Sequence, residues 1–307
     1  MDAQVVVVGS INADLRITVE RHPRPGETLL GGDGSVTPGG KGANQALAAC
    51  RAGVRVAMIG AVGRDPNAHA ALSLLDGSGT DLSGVDAVDG PTGVAVVMVA
   101  DSGENEIVVV PGANATVSAE AVEGHRDLVE AASVVLCQGE TPVDGIARAS
   151  RLCEQAGGRF ILNPAPVIEL PAEVVRRADP LVVNEHEGAL VGEMLGVGVD
   201  TGELEEDPAR CIELLRAQGC RSVVMTLGSK GALVATDAGV AAIEAIRVEA
   251  VDTVGAGDAF TGALAARLAE GRDLDEACRY ATRFAALTVG RVGAQESYPT
   301  LEEVASL

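Results

Sequence analysis

The predicted fold is decided by residues 132–163, ASVVLCQGETPVDGIARASRLCEQAGGRFILN. The two ends of this stretch, 132–137 and 159–163, are short apolar segments, and the segment at 142–156 between them has the composition of a helix. Both ends are continuously apolar rather than alternating, which is typical of strands buried on both faces of a parallel sheet. A strand, a helix and a second strand in this order predict a βαβ unit.

The same alternation of short apolar segments and longer helical segments continues along most of the chain. Further strands are predicted at 4–8, 54–59, 180–183 and 222–227. Further helices are predicted at 42–52, 65–77, 119–130, 207–218 and 258–270. This rhythm predicts an α/β fold with a doubly wound, mostly parallel sheet flanked by helices. One unit over residues 1–307 is expected, because we find no internal repeat, low-complexity segment or linker.

Two stretches, at about 13–37 and 92–110, break this rhythm. They contain extended segments with turn signals but no helical pattern, and DSGEN at 101–105 is typical of a hairpin turn. We therefore expect a small β-sheet that projects from the main sheet. The small sheet is either a lid over a substrate site or an insertion without a function, and periodicity favours neither.

The charge of the chain limits its partners. Its 307 residues carry a formal net charge of −21. A nucleic-acid-binding protein needs a basic face, and so does a protein that binds an anionic membrane surface. We therefore expect neither nucleic acid nor a membrane as a partner. A small anionic ligand stays compatible with this charge, because helix N-termini and a few local cations can bind phosphate.

The N-terminus and the cysteines predict a cytoplasmic protein. Residues 4–8 begin a strand at once, without the basic segment and cleavage site of a signal peptide. No uninterrupted apolar stretch approaches 18 residues, so no membrane span is expected. The six cysteines form no Cys-x-x-Cys pair and several lie in apolar surroundings, which favours buried thiols in a reducing cytosol.

The strongest candidate for a functional loop is residues 252–260, DTVGAGDAF. A loop with two glycines runs directly into an Ala- and Leu-rich helix, so that free backbone N–H groups and the helix dipole point at one spot. Gly255 and Gly257 would let the backbone approach a ligand closely. Asp258, at the start of the helix, is either a helix cap or, beside a bound phosphate, a base that accepts a proton from an attacking hydroxyl.

A second glycine-rich segment, PGGKGANQA at 38–46, also leads into a predicted helix. It lacks the Walker spacing of a P-loop, and GSINAD at 9–14 lacks the G-x-G-x-x-G pattern of a dinucleotide site. Asn12 and Asp14 are two residues apart, so their side chains share a face of an extended chain. An amide and a carboxylate in this arrangement either hold neighbouring hydroxyls of a sugar or form a turn.

Lysine occurs only at two positions flanked by glycine. The chain contains 21 Arg but only two Lys, which are Lys41 in GKG at 40–42 and Lys230 in GSKG at 228–231. Where charge alone matters, this chain uses Arg. The two exceptions therefore favour sites that need a compact ammonium ion.

A polar segment, NEHE at 184–187, follows the predicted strand at 180–183. An Asn and a carboxylate at the carboxyl end of a parallel strand could hold a hydrated Mg²⁺ near phosphates. A helix cap at Asn184 with an acidic first turn explains the same residues, so the segment alone supports both interpretations. The four histidines are scattered, and no metal-ligand spacing links them.

Taken together, these segments resemble the ribokinase family of carbohydrate kinases, also called the PfkB family. Two of them match the family signatures, GGKGANQ at 39–45 and DTVGAGD at 252–258. The resemblance extends over nearly the whole chain, and the other fragments that carry it are GSINAD at 9–14, PGET at 25–28, NPAP at 163–166, Asn184-x-x-Glu187, TLGSKG at 226–231 and GAQ at 293–295. It implies a β-sheet lid, which the two insertions would form.

The resemblance also implies roles for individual residues. Asp258 would be the general base, and the amides of Gly255, Ala256 and Gly257 would form an anion hole for the transferring phosphoryl group. The residues implied in sugar binding are Asn12, Asp14, Gly40, Lys41, Asn44, Glu140 and Asp258. The residues implied on the ATP side are Asn184, Glu187, Thr226, Gly228, Gly231, Gly257 and Thr282, with Glu187 holding Mg²⁺ through water.

A monovalent cation, usually K⁺, is a further implication of the resemblance. Its expected ligands are Asp252, the carbonyl of Val254, and residues around Gly293 and Ser297. A cation there would fix the geometry of the glycine loop without touching the substrate. The family's lid also forms a dimer contact, so the resemblance implies a homodimer through the small sheet.

The expected reaction transfers the γ-phosphoryl group of ATP to the primary hydroxyl of D-ribose and gives ribose 5-phosphate. 2-Deoxyribose, fructose, 2-keto-3-deoxygluconate and nucleosides stay open as acceptors, although scarce aromatic residues leave little material for stacking a base. A non-catalytic sugar or nucleotide sensor is opposed by the intact glycine loop and Asp258. A nicotinamide dehydrogenase is opposed by the missing dinucleotide pattern.

Overall fold

Two β-sheets organise the chain in the computed structural model, which describes residues 3–102 and 104–306. The strands are β1 (Val5–Val8), β2 (Asn12–Val19), β3 (Gly34–Gly39), β4 (Val56–Gly63), β5 (Asp81–Val88), β6 (Gly93–Ala100), β7 (Asn105–Val110), β8 (Val134–Gln138), β9 (Arg159–Asn163), β10 (Leu181–Asn184), β11 (Val223–Thr226), β12 (Ala232–Thr236) and β13 (Gly239–Ile243). The helices are α1 (Lys41–Arg51), α2 (Pro66–Asp76), α3 (Ala119–Gly124), α4 (Arg126–Ala131), α5 (Val143–Ala156), α6 (Ala172–Arg177), α7 (Glu185–Met194), α8 (Thr201–Glu206), α9 (Pro208–Ala217), α10 (Ala256–Ala269), α11 (Leu274–Val289) and α12 (Leu301–Ala305).

The large sheet has the strand order β13-β12-β11-β10-β9-β8-β1-β4-β5. Its strands are parallel from β5 to β11, and β12 and β13 are antiparallel at one edge. The centre of the sheet is buried on both faces: Val5 and Val7 of β1 belong to one apolar cluster, and Val6 and Val8 to the other. The predicted doubly wound, mostly parallel sheet flanked by helices is therefore confirmed.

The helix predicted at 119–130 is wrong in one respect, because it is interrupted. The chain leaves the helical conformation at His125, with φ −112° and ψ 25°, and α3 and α4 lie on either side of it. Gly124 precedes this break and weakens the helix there, since glycine loses more conformational freedom on folding than other residues. Within 3–102 and 104–306, none of the helices is long and apolar enough to cross a membrane.

The small sheet consists of β3, β2, β6 and β7, in that order, and comes from the two stretches that break the βαβ rhythm. β2 pairs with β3 and β6 with β7 in antiparallel fashion, whereas β2 and β6 are parallel. In the turn expected at 101–105, Gly103 lies outside the described residues. Because β2 begins four residues after β1 ends, the small sheet projects from the carboxyl edge of the large sheet.

Polar side chains collect at that carboxyl edge. Gln138 ends β8, Asn163 ends β9, Asn184 ends β10 and Thr226 ends β11. In open parallel sheets this edge forms the ligand-binding crevice. The fold therefore brings the segments singled out in the sequence to one end of the molecule.

Candidate active site

Asp258 lies in the first turn of α10 and is held by two side-chain amides. Its Oδ2 accepts a hydrogen bond from Asn44 Nδ2 at 2.9 Å, and its Oδ1 accepts one from Gln45 Nε2 at 2.8 Å. The residue is buried, with 8% of its surface exposed. Asn44 and Asp258 are 214 positions apart in the chain, so the fold joins the two glycine-rich segments at one carboxylate.

The loop before Asp258 depends on a glycine at its last position. Gly255 has φ +74°, and a Cβ there would lie 2.8 Å from the Cβ of Ala294. The Ala256 amide donates to the Thr253 carbonyl at 3.2 Å, whereas the Gly257 amide has no acceptor in the described part of the chain. Of these two predicted anion-hole amides, Gly257 is thus free and Ala256 belongs to a turn.

Asp14 lies on β2 opposite Thr37 of β3, and its carboxyl group reaches over Gly39. A Cβ at Gly39 would fall 2.2 Å from the Asp14 carboxyl group, so this carboxylate occupies the space that a side chain at 39 would need. Asp14 Oδ1 is buried and has no hydrogen-bond partner among the residues described. Burial, together with repulsion from Glu140, Asp258 and Glu296, raises the pKa of Asp14 to about 7. An unpaired buried oxygen of this kind is available to a ligand hydroxyl.

Lys41, the first residue of α1, stands among four carboxylates. The negative charges of Asp258, Glu140, Glu187 and Asp14 raise the pKa of its ammonium group against the opposing effect of burial. The backbone amide of Lys41 also donates to Glu140 Oε2 at 3.1 Å. A permanent positive charge at this point offsets part of the repulsion among the carboxylates.

A cavity of about 700 Å³ lies between β7 of the small sheet and the carboxyl edge of the large sheet. Of the residues predicted to bind ligands, those that line it are Asn12, Lys41, Glu140 and Glu187. Ile107 and Val109 of β7 contribute an apolar wall. Polar groups on one side and an apolar surface on the other suit a sugar ring, which has hydroxyl edges and C–H faces.

A second cavity, of about 600 Å³, lies beside the start of α10. The predicted ATP-side residues that line it are Thr226, Gly228, Gly231, Gly257 and Thr282. The sequence interpretation missed the part of its wall formed by 245–248 and by Val289 of α11. Gly257 lines this cavity and its neighbour Asp258 contacts Asn44, so the free amide and the carboxylate both belong to the first turn of α10.

Asn184 and Glu187 form a reciprocal cap at the start of α7. Asn184 Oδ1 accepts from the Glu187 amide at 2.7 Å, and Glu187 Oε2 accepts from the Asn184 amide at 2.9 Å. The Asn184 side chain is therefore committed to the helix end. Glu187 also lines the first cavity, and burial raises the pKa of its carboxyl group.

The four residues predicted around a monovalent cation lie close together. Asp252 Oδ1 accepts from the Val254 amide at 3.0 Å, and its Oδ2 accepts from the Gly293 amide at 3.1 Å. The buried hydroxyl of Ser297 donates to the carbonyl of Ala294, the neighbour of Gly293, at 2.6 Å. Arg16 Nη1 of β2 reaches to 3.6 Å from Asp252 Oδ2, so a cationic side chain of the small sheet also faces this carboxylate.

Comparison with known proteins identifies the family. The model of the pfkB family carbohydrate kinases matches residues 2–301. The chain belongs to this family. The family match thus covers nearly the whole sequence, from β1 to the start of α12, and includes both glycine-rich signatures.

Individual relatives within the pfkB family are similar over their full length. The ribokinase of Haemophilus influenzae is 35% identical over 304 residues, which cover 99% of this chain and 97% of the relative. The deoxyribokinase of Salmonella typhimurium is 33% identical over 301 residues, covering 97% and 96%. The structure of Arabidopsis thaliana ribokinase complexed with ribose and ATP has a TM-score of 0.89 at 32% identity, covering 100% of this chain and 98% of that one.

Several site residues of this pfkB-family chain had no role assigned from the sequence. Gln45 holds Asp258, Gln295 Nε2 donates to Asn44 Oδ1 at 2.9 Å, and Asn114 Nδ2 donates to Asn12 Oδ1 at 2.7 Å. All three amides are almost completely buried. The available signal for Gln45 was a polar pair, Asn44-Gln45, inside an otherwise Ala-rich helix.

Proposed function

We propose that this chain is an ATP-dependent kinase that phosphorylates the primary hydroxyl of D-ribose and gives ribose 5-phosphate. The observation that carries the proposal is the Asp258 carboxylate, which Asn44 and Gln45 hold beside the free amide of Gly257. A fixed base next to an anion-binding backbone group is what phosphoryl transfer to an alcohol requires. Ribose as the acceptor is supported by the full-length similarity to ribokinases.

The chemical step uses Asp258 as the base. Asp258 accepts the proton of the primary hydroxyl while the hydroxyl oxygen attacks the γ-phosphorus of ATP in line. The bond from that phosphorus to the β,γ-bridging oxygen breaks, and ADP leaves. The amides of Gly255, Ala256 and Gly257 stabilise the charge on the transferring group, and the Ala256 amide leaves its turn with Thr253 to do so.

Sugar binding uses the polar wall of the first cavity, formed by Asn12, Lys41 and Glu140, together with groups next to that wall. Asn12, Asp14, Gly40, Lys41, Asn44 and Glu140 are the residues in this role. The unpaired buried Oδ1 of Asp14 supports its part in accepting a sugar hydroxyl. Gly40, with φ +88°, lets the chain pass within van der Waals distance of β2, since a Cβ there would lie 2.8 Å from the Asn12 amide.

Nucleotide binding uses the second cavity, with Thr226, Gly228, Gly231, Gly257 and Thr282 on its wall. Glu187 is the residue that would hold Mg²⁺, through water, while Asn184 supports Glu187 through the reciprocal cap. One carboxylate fits this ion, because Mg²⁺ keeps several waters and takes its other ligands from phosphates. The bound ion would neutralise phosphate charge during the transfer.

Potassium, or another monovalent cation, fits the donor set around Asp252. A carboxylate, the carbonyl of Val254 and oxygen-bearing residues near Gly293 and Ser297 are the hard ligands that such an ion prefers. Asp252 already ties Val254 to Gly293 through backbone amides, so an ion there would stiffen a loop that is preformed. Its contribution would be electrostatic and structural.

The small sheet acts as a lid in this proposal, and a homodimer forms through it. Exposed apolar side chains on the strand β7 that do not line the first cavity, Val108 and Val110, support such a contact. Residues 1–307 form one functional unit with the lid inserted at about 13–37 and 92–110. A cytoplasmic location is supported by six free cysteines, five of them buried, which suit a reducing compartment.

The proposal is tested with a coupled ADP-release assay of the purified chain. D-Ribose, 2-deoxyribose, fructose, 2-keto-3-deoxygluconate and adenosine are compared at equal concentration with ATP and Mg²⁺, with and without K⁺. The expected result is the highest kcat/KM with ribose and a product that carries phosphate on the 5-oxygen. If none of the five acceptors gave a rate above background, the proposal would be overturned.

2-Deoxyribose is the second candidate, because the chain is also similar to a deoxyribokinase over nearly its full length. A higher kcat/KM for 2-deoxyribose than for ribose would replace ribose with this acceptor and keep the kinase mechanism. Thermal-shift measurements with NAD and with ATP separate the other classes: a shift with NAD alone would indicate a dehydrogenase, and binding of sugar and ATP without turnover would indicate a sensor.

A further inference from the structure

Gln45 lies at the centre of a buried chain of side-chain amides. Its Oε1 accepts a hydrogen bond from Gln138 Nε2 at 2.8 Å. Its Nε2 donates to Asn163 Oδ1 at 2.9 Å and to Asp258 Oδ1 at 2.8 Å. The side chain is 0% exposed and lines neither cavity, and both of its N–H donors are taken by Asn163 and Asp258, so Gln45 has no donor left for the sugar or for ATP.

The direction of these hydrogen bonds is set by a backbone carbonyl. Asn163 Nδ2 donates to the carbonyl of Val182 at 2.9 Å, and a carbonyl oxygen can only accept. Asn163 Oδ1 therefore faces Gln45 as an acceptor, and Gln45 must turn its NH₂ group to that side. The second hydrogen of the same NH₂ group then points at Asp258. The orientation of Gln45 is therefore fixed by a backbone carbonyl of the large sheet.

Close packing of two helices keeps Gln45 within reach of Asp258. A Cβ added at Gly262 would lie 2.4 Å from the backbone carbonyl oxygen of Gln45, so α10 can approach α1 this closely only with glycine at 262. Residues 258 and 262 are four apart and share a face of α10. The face that carries the carboxylate is thus also the face that lies against Gln45.

We propose that Gln45 is a positioning residue that holds the Asp258 carboxylate in one orientation. The inference rests on the proposed kinase function, in which Asp258 is the base. Each carboxylate oxygen can accept more than one hydrogen bond, so the bonds from Asn44 and Gln45 leave a lone pair for the substrate proton. Asn44 belongs to the proposed sugar site, whereas Gln45 acts through Asp258 alone.

The test compares Gln45→Met with the wild type. Methionine keeps the length and volume of the side chain and removes its hydrogen bonds, so the carboxylate loses one donor and part of its orientation. We expect kcat to fall roughly 10- to 100-fold. The acidic limb of the kcat–pH profile should move to higher pH, because the carboxylate base loses one hydrogen-bond donor. The KM for the sugar should change less than about threefold, since Gln45 does not line the sugar cavity.

The matched control is Ser150→Ala, which removes a buried side-chain hydrogen bond from α5, away from the site. Ser150 is 0% exposed and its hydroxyl donates to the Ala147 carbonyl at 3.0 Å. This variant should leave kcat, the KM for the sugar and the pH profile unchanged. If Gln45→Met does not fold by circular dichroism, Gln45→Asn replaces it, because the shorter side chain keeps an amide but withdraws it from Asp258.

The possible outcomes separate this inference from the proposed function. An inactive wild type would defeat the kinase proposal itself. An active wild type, with a folded Gln45 variant whose acidic limb stays where the wild type has it, would defeat the positioning role. A displaced limb with an unchanged KM supports it, because a purely structural defect lowers the amount of active enzyme and leaves the pH profile in place.

Discussion

Asp258 and Asp14 are two carboxylates of one site, and they lie on different parts of the molecule. Asp258 lies on α10 of the body, by which we mean the large sheet with its flanking helices. Both of its carboxylate oxygens accept hydrogen bonds from side chains of α1. Asp14, on β2 of the small sheet, has a buried oxygen without a partner, and its pKa is raised to about 7. One carboxylate is held before any substrate arrives, and the other still lacks part of its surroundings.

The difference follows from what surrounds each group. The body offers Asp258 two side-chain amides that the fold has already fixed, so both of its carboxylate oxygens have hydrogen-bond donors in the free protein. The small sheet buries Asp14 near other carboxylates, so burial and then repulsion disfavour its charged form until a donor arrives. We infer that the body supplies a preorganised base and that the small sheet supplies a binding group completed by the sugar.

The largest expected effect comes from removing the preorganised base. Asp258→Asn keeps the size of the side chain and abolishes its ability to accept a proton, so kcat should fall by at least about 10³-fold. Binding of the sugar and of ATP should stay within a few-fold, as measured by thermal shift with each ligand. Normal turnover in a preparation free of wild-type enzyme would contradict the role of Asp258 as the base, and the contrast between Asp258 and Asp14 would no longer hold.

Replacing the carboxylate of the small sheet should have a different kinetic signature. Asp14→Asn removes a charged acceptor for sugar hydroxyls, so the KM for the sugar should rise about 10- to 100-fold while kcat changes much less. Steady-state kinetics at varied sugar and saturating ATP measure both constants. Asp33→Asn, at an exposed carboxylate between β2 and β3, is the control and should leave both constants unchanged. An unaltered sugar KM in Asp14→Asn would count against this assignment.

Much of the fold followed from the sequence because its central strands depend on local composition. The segments at 4–8 and 132–137 are apolar throughout, and only a strand buried on both faces uses such a segment fully. The helix α11, Leu274–Val289, was not predicted. It contains Thr282 and Thr288, whose side chains disfavour a helix, and both hydroxyls bond to carbonyls one turn back. Its stability comes from packing against α10, which a local pattern does not contain.

The site was predictable where its function requires a recognisable local sequence pattern. The glycines around Lys41 and before Asp258 are visible because backbone geometry requires them. Gln45 and Gln295 belong to no such pattern, since a glutamine in a helix indicates no function until the partner it faces is known. The partners of Gln45 come from β8, β9 and α10, so its importance is a property of the tertiary structure.

The unfinished surroundings of Asp14 also predict a dependence of stability on pH. Its pKa of about 7 in the folded chain exceeds the ordinary value of 3.8, so between about pH 4 and 7 the folded state keeps a proton that the unfolded chain has lost. The contribution of Asp14 to stability therefore falls as pH rises through this window. Asp14→Asn does not titrate, so its Tm relative to wild type should rise by at least about 2 °C between pH 5 and pH 8.

The titration of Asp14 should also appear in the pH dependence of sugar binding. Sugar hydroxyls that donate to Asp14 favour its charged form, so the wild-type KM for the sugar should fall as pH rises from 6 to 8. In Asp14→Asn the KM should lose this dependence. Differential scanning fluorimetry and the pH series of KM, with Asp33→Asn as the control, check both statements. A Tm difference that stays constant from pH 5 to pH 8 would show that Asp14 is already ionised in the free protein.

The smallest expected effect concerns Arg16, which links the small sheet to the glycine loop of the body. Its guanidinium lies 3.6 Å from Asp252 and its side chain is 41% exposed, and pairs of this kind contribute about 0–1 kcal/mol. Arg16→Gln should therefore lower kcat by less than about threefold, and the difference should shrink when ionic strength is raised at constant K⁺. Arg272→Gln, which removes a surface pair with Glu276 on α11, is the control. A loss above about tenfold that survives high salt would mean that Arg16 acts on the transferring phosphoryl group directly, and the small sheet would then share the catalytic role assigned here to the body.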